Sequence, residues 1–223
     1  MKKLAVHINI DSDLYLKDPE SSELGKTIVS QSILMINDLG FEKFTFKKLG
    51  ERIGSNESSI YRYFSNKHML LIYLITWYWH WVEYRLVFAT NAMPTALQQL
   101  KEAINILTRK VSVDDTFSYI DEVSLFQIII AESNKAYHTK NVDDENAKGY
   151  FKAYKSVVER VSEMVINVNA SFQFPNMLVS TVIEGAHQQR FFGEHLPALT
   201  DVEIGKDNIV NFYTAMVFKT IQS

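Results

Sequence analysis

Thr45-Phe46-Lys47-Lys48-Leu49-Gly50-Glu51-Arg52-Ile53-Gly54-Ser55-Asn56-Glu57-Ser58-Ser59-Ile60-Tyr61-Arg62-Tyr63-Phe64 reads as two short helices folded around a tight turn. Thr45 and Asn56 each carry a side-chain oxygen able to satisfy the orphan N–H groups that begin a helix. Gly54 sits where the chain must reverse and can enter the left-handed region at little steric cost. Phe46, Leu49, Ile53, Ile60 and Phe64 supply apolar contacts between the two helices, and the remaining side chains face outward. An α-helix of this size fits the major groove of B-DNA, where its first turn meets base edges and nearby phosphates. Asn56, Glu57, Ser58 and Ser59 form that turn, Tyr61 and Tyr63 add hydroxyls, and Lys47 and Lys67 add cations on either side.

Moving outward from this hairpin, Asp18-Pro19 reads as a helix start, with the acid as cap and the proline at the first position. Leu24, Ile28, Val29, Ser32, Met35, Ile36 and Leu39 then lie on one face, which predicts a helix over 19–39 closed by Gly40. A long helix follows Asn66. Further helical patterns run over 67–90, 95–110, 116–136, 144–170, 175–190 and 202–221, with breaks at Met93-Pro94, 112–115, 138–144, Phe174-Pro175 and 193–201. Val6, Ile8 and Ile10 alternate and read as a short strand or an extended arm. The expected fold is all-α: an arm over 1–18, a three-helix helix-turn-helix domain over 19–66, and a six-helix body over 67–223. The fourth helix joins head and body without a flexible linker.

At 223 residues and 47% hydrophobic, the chain is long and apolar enough to bury a real core. It has no cysteine, which excludes disulfides, thiolate metal sites and cysteine nucleophiles and fits a reducing cytoplasm. No segment approaches the roughly 18 apolar residues of a membrane span. Lys2 and Lys3 begin no signal peptide, because His7, Asn9 and Asp11 interrupt the apolar run. We expect a cytoplasmic protein with no membrane partner. The net charge is −3, yet residues 22–70 carry seven basic against five acidic side chains, or +2, leaving −5 for the remainder.

The ordered set Gly40-Phe41, Thr45, Leu49-Gly50, Ile53-Gly54, Ile60-Tyr61-Arg62-Tyr63-Phe64, Asn66-Lys67 and Leu70-Leu71 resembles the N-terminal signature of the TetR (TetR/AcrR) family of transcription regulators. The resemblance implies a homodimer that binds double-stranded DNA at a near-palindromic operator, as a repressor released by a small molecule. It implies that Thr45 caps the second helix against a phosphate, that Lys47 reaches bases or backbone, and that Tyr61, Tyr63 and Lys67 grip phosphates. Glu57, Ser58 and Ser59 stand where members of that family read sequence. The chain departs from the pattern at Glu57, at His68, where an acid usually opens the fourth helix, and at Gln31-Ser32, in place of a small pair.

In the fourth helix Tyr73, Trp77, Trp81, Tyr84 and Phe88 recur at helical spacing, a pattern that serves core packing or a ligand wall. The family binds effectors inside its helical body, and this makes Trp77, Trp81, Tyr84, Phe88, Phe117, Phe126, Tyr150 and Tyr154 the candidate wall for a lipophilic or aromatic effector. His80 could add a hydrogen bond. The resemblance also implies pairing of the last two helices across a dimer, through Met177, Leu178, Thr181, Val182, Ala186, Phe212, Tyr213 and Met216. Glu184-x-x-His187 has the spacing of di-iron bundles, but no second copy accompanies it. We expect no metal, no cofactor and no catalytic residue. The competing expectation is a helical ligand-binding or scaffold protein with a degenerate helix-turn-helix that does not bind DNA.

Overall fold

The computed structural model describes residues 8–113, 117, 119–203 and 206–222. Val6 of the expected alternating arm, Asp114, Asp115 and Thr116 at the expected break and helix start, and 204–205 of the last expected helix lie outside the described residues. The fold is all-α, and no strand occurs among the described residues. In chain order the helices are α1 (Glu23–Leu39), α2 (Phe46–Ile53), α3 (Glu57–Tyr61), α4 (Lys67–Thr90), α5 (Ala96–Thr108), α6 (Glu122–Glu132), α7 (Asn134–Tyr137), α8 (Val142–Ala147), α9 (Lys152–Val168), α10 (Pro175–His195) and α11 (Asn208–Gln222).

Local chemistry explains most of these borders. Ser22, Thr45, Asn56, Asn66, Thr95 and Asp121 each accept a backbone N–H two or three residues into the helix they precede. Asp18-Pro19 opens a 3₁₀ turn, Pro19–Ser21, and Ser22 then starts α1. Gly40 and Gly54 close α1 and α2 with φ of 78° and 66°. Among the described residues, eight helices follow α3 where six segments were expected. Gly149, at φ 86°, divides the 144–170 segment, and Ser133 divides α6 from α7. The last helix starts at Asn208 rather than 202.

The chain forms two compact units, Met1–Tyr78 with Val111–Lys152 and Trp79–Lys110 with Ala153–Ser223, so neither is one continuous stretch. In the first unit α1 packs against α2 and α6, with Ile28, Val29, Ile33 and Ile36 buried. Aromatic edges fill the rest: Tyr73 meets Phe64 at 5.2 Å, and Trp77 meets Phe117 at 5.2 Å. In the second unit α5 packs on α10 and α11 around Leu100, Ile104, Val182, Ile183, Tyr213 and Val217. Asn169 Nδ2 donates to the Ile221 carbonyl at 2.7 Å, and Arg190 holds Asp207 at 3.0 Å while donating to the Thr108 carbonyl. No helix among the described residues is long and apolar enough to cross a membrane.

Candidate nucleic-acid interface

The hairpin α2–α3 is built around the expected core. Phe46, Leu49, Ile60 and Phe64 are buried, whereas Ile53 is only half-buried. Gly50 is also buried, because the turn after α2 passes directly over it: Ser55 N donates to the Gly50 carbonyl at 2.9 Å. The edge of Tyr61 rests on Phe46 at 5.0 Å, which leaves the tyrosine about half exposed. Thr45, Lys47, Asn56, Ser58, Tyr61 and Arg62 are exposed, and Glu57 and Ser59 half-exposed. Arg62 was missed in the sequence, although its place between two tyrosines marks it as a cation beside the candidate interface.

The first turn of α3 is organised by one acceptor. Asn56 Oδ1 takes the Ser59 amide at 2.8 Å and the hydroxyls of Ser58 and Ser59 at 2.8 and 2.7 Å. Its oxygen is therefore engaged as a helix cap, which leaves the Asn56 amide nitrogen as the group able to reach a base. Glu57 places a carboxylate in that first turn, where the helix dipole favours a negative charge.

Two expected phosphate ligands have partners within the chain. Tyr63 is 3% exposed. Its hydroxyl shares a hydrogen bond with Ser22 Oγ at 2.8 Å and accepts one from Lys17 Nζ at 3.3 Å. The Ser22 bond, seconded by Lys17, holds the phenol below its ordinary pKa against the effect of burial. Lys67 Nζ points at the carbonyls of Phe41, Glu42 and Phe44 at 3.0, 3.3 and 3.4 Å and lies 4.7 Å from the Phe41 ring centre. The ammonium thus faces three carbonyls of one loop. Glu132 on α6 fastens the same loop by accepting the Phe41 amide at 2.9 Å, while Lys135 pairs with Glu132 at 2.7 Å and Glu42 at 3.1 Å.

The departures from the family pattern acquire partners. His68 meets Glu145 at 2.7 Å, so α8 supplies the acid that the start of α4 lacks. Gln31 Oε1 accepts from Arg52 Nε at 2.9 Å, and Ser32 is buried, its hydroxyl donating to the Ile28 carbonyl at 2.6 Å.

The expected effector wall draws its residues from both units. Trp77, Phe117, Phe126 and Tyr150 are buried in the first unit, with Phe126 stacked on Tyr78 at 6.0 Å. Trp81, Tyr84, Phe88 and Tyr154 belong to the second unit. There Trp81 is fully buried, with the Arg85 guanidinium 4.6 Å from its ring centre. Tyr84 is half-buried, and Phe88 is 78% exposed on the outer side of α4, so it lines no interior wall. Tyr154 stacks on Trp79 at 4.2 Å and donates to Glu184 at 2.6 Å. It borders an open groove of about 490 Å³ with Val158, Asn176 and Met177. A larger open groove of about 680 Å³ runs between α5 and α11, past Met93, Lys101, Asn105, Thr214 and Phe218, and none of the eight expected wall residues lines it. His80 is half-buried, and desolvation lowers its pKa.

The expected dimer residues divide by burial. Leu178, Val182, Ala186 and Tyr213 are buried within the second unit and pack its core. Met177, Thr181 and Phe212 are exposed and Met216 is half-exposed. Glu184 and His187 are not paired for a metal: Glu184 is exposed and bonded to Tyr154, and His187 is buried. No cluster of three acidic or histidine ligands occurs among the described residues.

Residues 28–74, from within α1 to within α4, match the family model described as bacterial regulatory proteins, tetR family. No curated protein sequence matches the chain. Three solved structures share its fold at 12 to 15% identity. The fatty acid degradation regulator FadR from Bacillus halodurans is 15% identical with a TM-score of 0.57, over 92% of this chain and 94% of that one. The superantigen PfiT is 13% identical with a TM-score of 0.59, over 91% and 97%. Apo AibR is 12% identical with a TM-score of 0.51, over 86% and 96%. The fold alone thus accommodates differently named proteins, and the family likeness rests on residues 28–74, which match the N-terminal domain of the tetR family of bacterial regulatory proteins.

Proposed function

We propose that this protein is a homodimeric, sequence-specific transcription repressor that binds a near-palindromic operator and leaves it when a small lipophilic or aromatic effector binds. A DNA-binding regulator follows from the family domain. The observation that supports sequence-specific reading is the exposed face Thr45, Lys47, Ser58, Tyr61 and Arg62 on a hairpin that buries Phe46, Leu49, Ile60 and Phe64 on its other side. Two such faces about 34 to 36 Å apart read successive major grooves, and an effector that favours another spacing lowers affinity.

Selection from a random duplex library, followed by titration at several salt concentrations, tests this reading. A specific sequence should emerge and affinity should fall steeply with salt, because cationic side chains release counterions from phosphates. Lys47→Ala should weaken binding by roughly five- to tenfold and lower the salt slope by about one. No selected sequence and a flat salt response would instead establish the scaffold reading, which the internal engagement of Tyr63 and Lys67 favours.

For the dimer, the exposed apolar side chains of the second unit are the relevant ones: Met177 is 68% and Phe212 59% exposed. Phe212→Asp should weaken self-association by at least about tenfold in sedimentation, since exposed aromatics anchor interfaces. Its helical circular dichroism should stay unchanged. A dimer of undiminished stability would place the interface elsewhere.

A further inference from the structure

Residues 8–22 precede the family domain, and no role for them follows from its chemistry. They are nevertheless closely fitted. Ile8, Ile10 and Leu14 are buried. Asp11 and Asp18 cap two 3₁₀ turns, Ser12–Leu14 and Pro19–Ser21, by accepting the amides of Asp13 at 3.3 Å and Glu20 at 2.8 Å. The Pro19 carbonyl sits directly over Gly25 of α1, where any Cβ would overlap it. The segment therefore has one defined course across the first unit.

Its contacts converge on one residue. The Leu16 amide donates to the Tyr63 carbonyl at 2.7 Å, Lys17 Nζ donates to the Tyr63 hydroxyl at 3.3 Å and lies 5.0 Å from its ring centre, and Ser22 Oγ bonds the same hydroxyl at 2.8 Å. Tyr63 also closes the recognition helix, because its amide donates to the Ile60 carbonyl at 2.9 Å. Further along the segment the partners change. The Tyr150 hydroxyl donates to the Asp13 carbonyl at 3.4 Å, the Tyr119 hydroxyl to Glu20, and Tyr15 packs edge-on against Tyr73 at 6.3 Å.

We propose that residues 8–22 are a strap that fixes the exit of the recognition helix and links it to the 117–150 segment of the same unit, with Tyr63 as its buckle. Tyr63 and Lys17 are then positioning residues, which act on DNA through the orientation of α3 rather than by touching phosphate. The strap reaches both the reader and side chains outside the helix-turn-helix, so a change at Tyr119 or Tyr150 has a direct route to α3. This inference rests on the DNA-binding reading for its consequence and on the free protein for its mechanism.

The test uses the full chain with Tyr63→Phe, which keeps the ring and removes the hydroxyl, with Lys17→Met, and with both together. Amide exchange is measured on the free protein and affinity on the duplex selected from the random library. The strap predicts faster exchange over 10–22 and over α3 in each variant. Each single change should cost roughly fivefold in affinity, the worth of one hydrogen bond. The double variant should lose little more than either single one, because both act through one link. Additive losses with unchanged exchange would overturn the proposal in favour of two direct phosphate contacts, and unchanged exchange alone would overturn the strap. If the wild-type protein selects no duplex, the DNA-binding reading fails, while the exchange data still decide whether the strap holds α3.

Discussion

Gly50→Ala should lower the melting temperature by several degrees and reduce binding to the selected duplex by more than about tenfold, although alanine is the better helix former. Gly50 lies within α2 and its backbone is ordinary, so the benefit of alanine is about 1 kcal/mol. Opposing it, the new Cβ would stand 2.7 Å from the Ser55 carbonyl oxygen and 3.3 Å from the Glu57 amide nitrogen. Both are backbone atoms of the turn and the recognition helix, and neither can swing aside as a flexible side chain would. Relieving such a clash moves backbone, at a cost of about 1–3 kcal/mol. The shift displaces α3 relative to α2, so the penalty in specific binding exceeds the penalty in stability. Gly54→Asn provides the control: Gly54 has φ 66° with nothing within 4 Å of its added Cβ, and asparagine tolerates that conformation. Thermal unfolding and duplex titration of the two variants should therefore diverge, and a Gly50→Ala protein that melts and binds like the wild type would refute this account of the turn.

The same hairpin shows what a sequence can disclose. Caps at Thr45, Asn56 and Asn66 and the left-handed Gly54 act over two to four residues, so α2, α3 and α4 begin where the sequence indicates. The partners of Tyr63 and Lys67 were not legible because they are remote: Lys17 and Ser22 lie 46 and 41 residues from Tyr63, and the carbonyls that hold Lys67 lie 23 to 26 residues away. Both residues can reach a phosphate on the page; only the fold shows that nearer acceptors and donors have taken them. The burial of the aromatic stripe of α4 was illegible for another reason. A helix that is apolar nearly all round has no single inward phase, so periodicity placed Trp77 and Phe88 alike although one is buried and the other is exposed. In α10 and α11 the family's interface was carried over to apolar positions without regard to which of them the unit's own core required. Val182 and Tyr213 belong to that core, and only exposed neighbours such as Met177 and Phe212 remain available to a partner.

Acidification should destabilise the second unit through His187. This histidine is 6% exposed, its ring centre lies 6.1 Å from that of Trp79, and burial foremost, with the Arg190 charge, pushes its pKa down from 6.5 to about 4. The folded state therefore binds fewer protons than the unfolded state between these two values. Stability from the neutral ring is fully present above pH 6.5, declines as the pH falls toward 4, and changes no further below that. Between pH 7 and pH 5 the loss should be about 2 kcal/mol, a shift easily resolved in urea denaturation midpoints. Carboxylates held by cations add losses of the same sign as they protonate, Glu42 beside Lys135 among them, so the wild-type profile alone does not isolate the histidine. His187→Gln does, because it removes this titration and leaves the carboxylates in place. The variant should be less stable than the wild type at pH 7, where the neutral imidazole packs well, and the gap should narrow by about 2 kcal/mol at pH 5. Parallel profiles would mean that the ring reaches solvent, or is already protonated, in the native state. A narrowing gap would also bear on the Glu184-x-x-His187 spacing: a histidine held neutral by burial, with Glu184 bonded to Tyr154 instead, acts as a packing residue of α10.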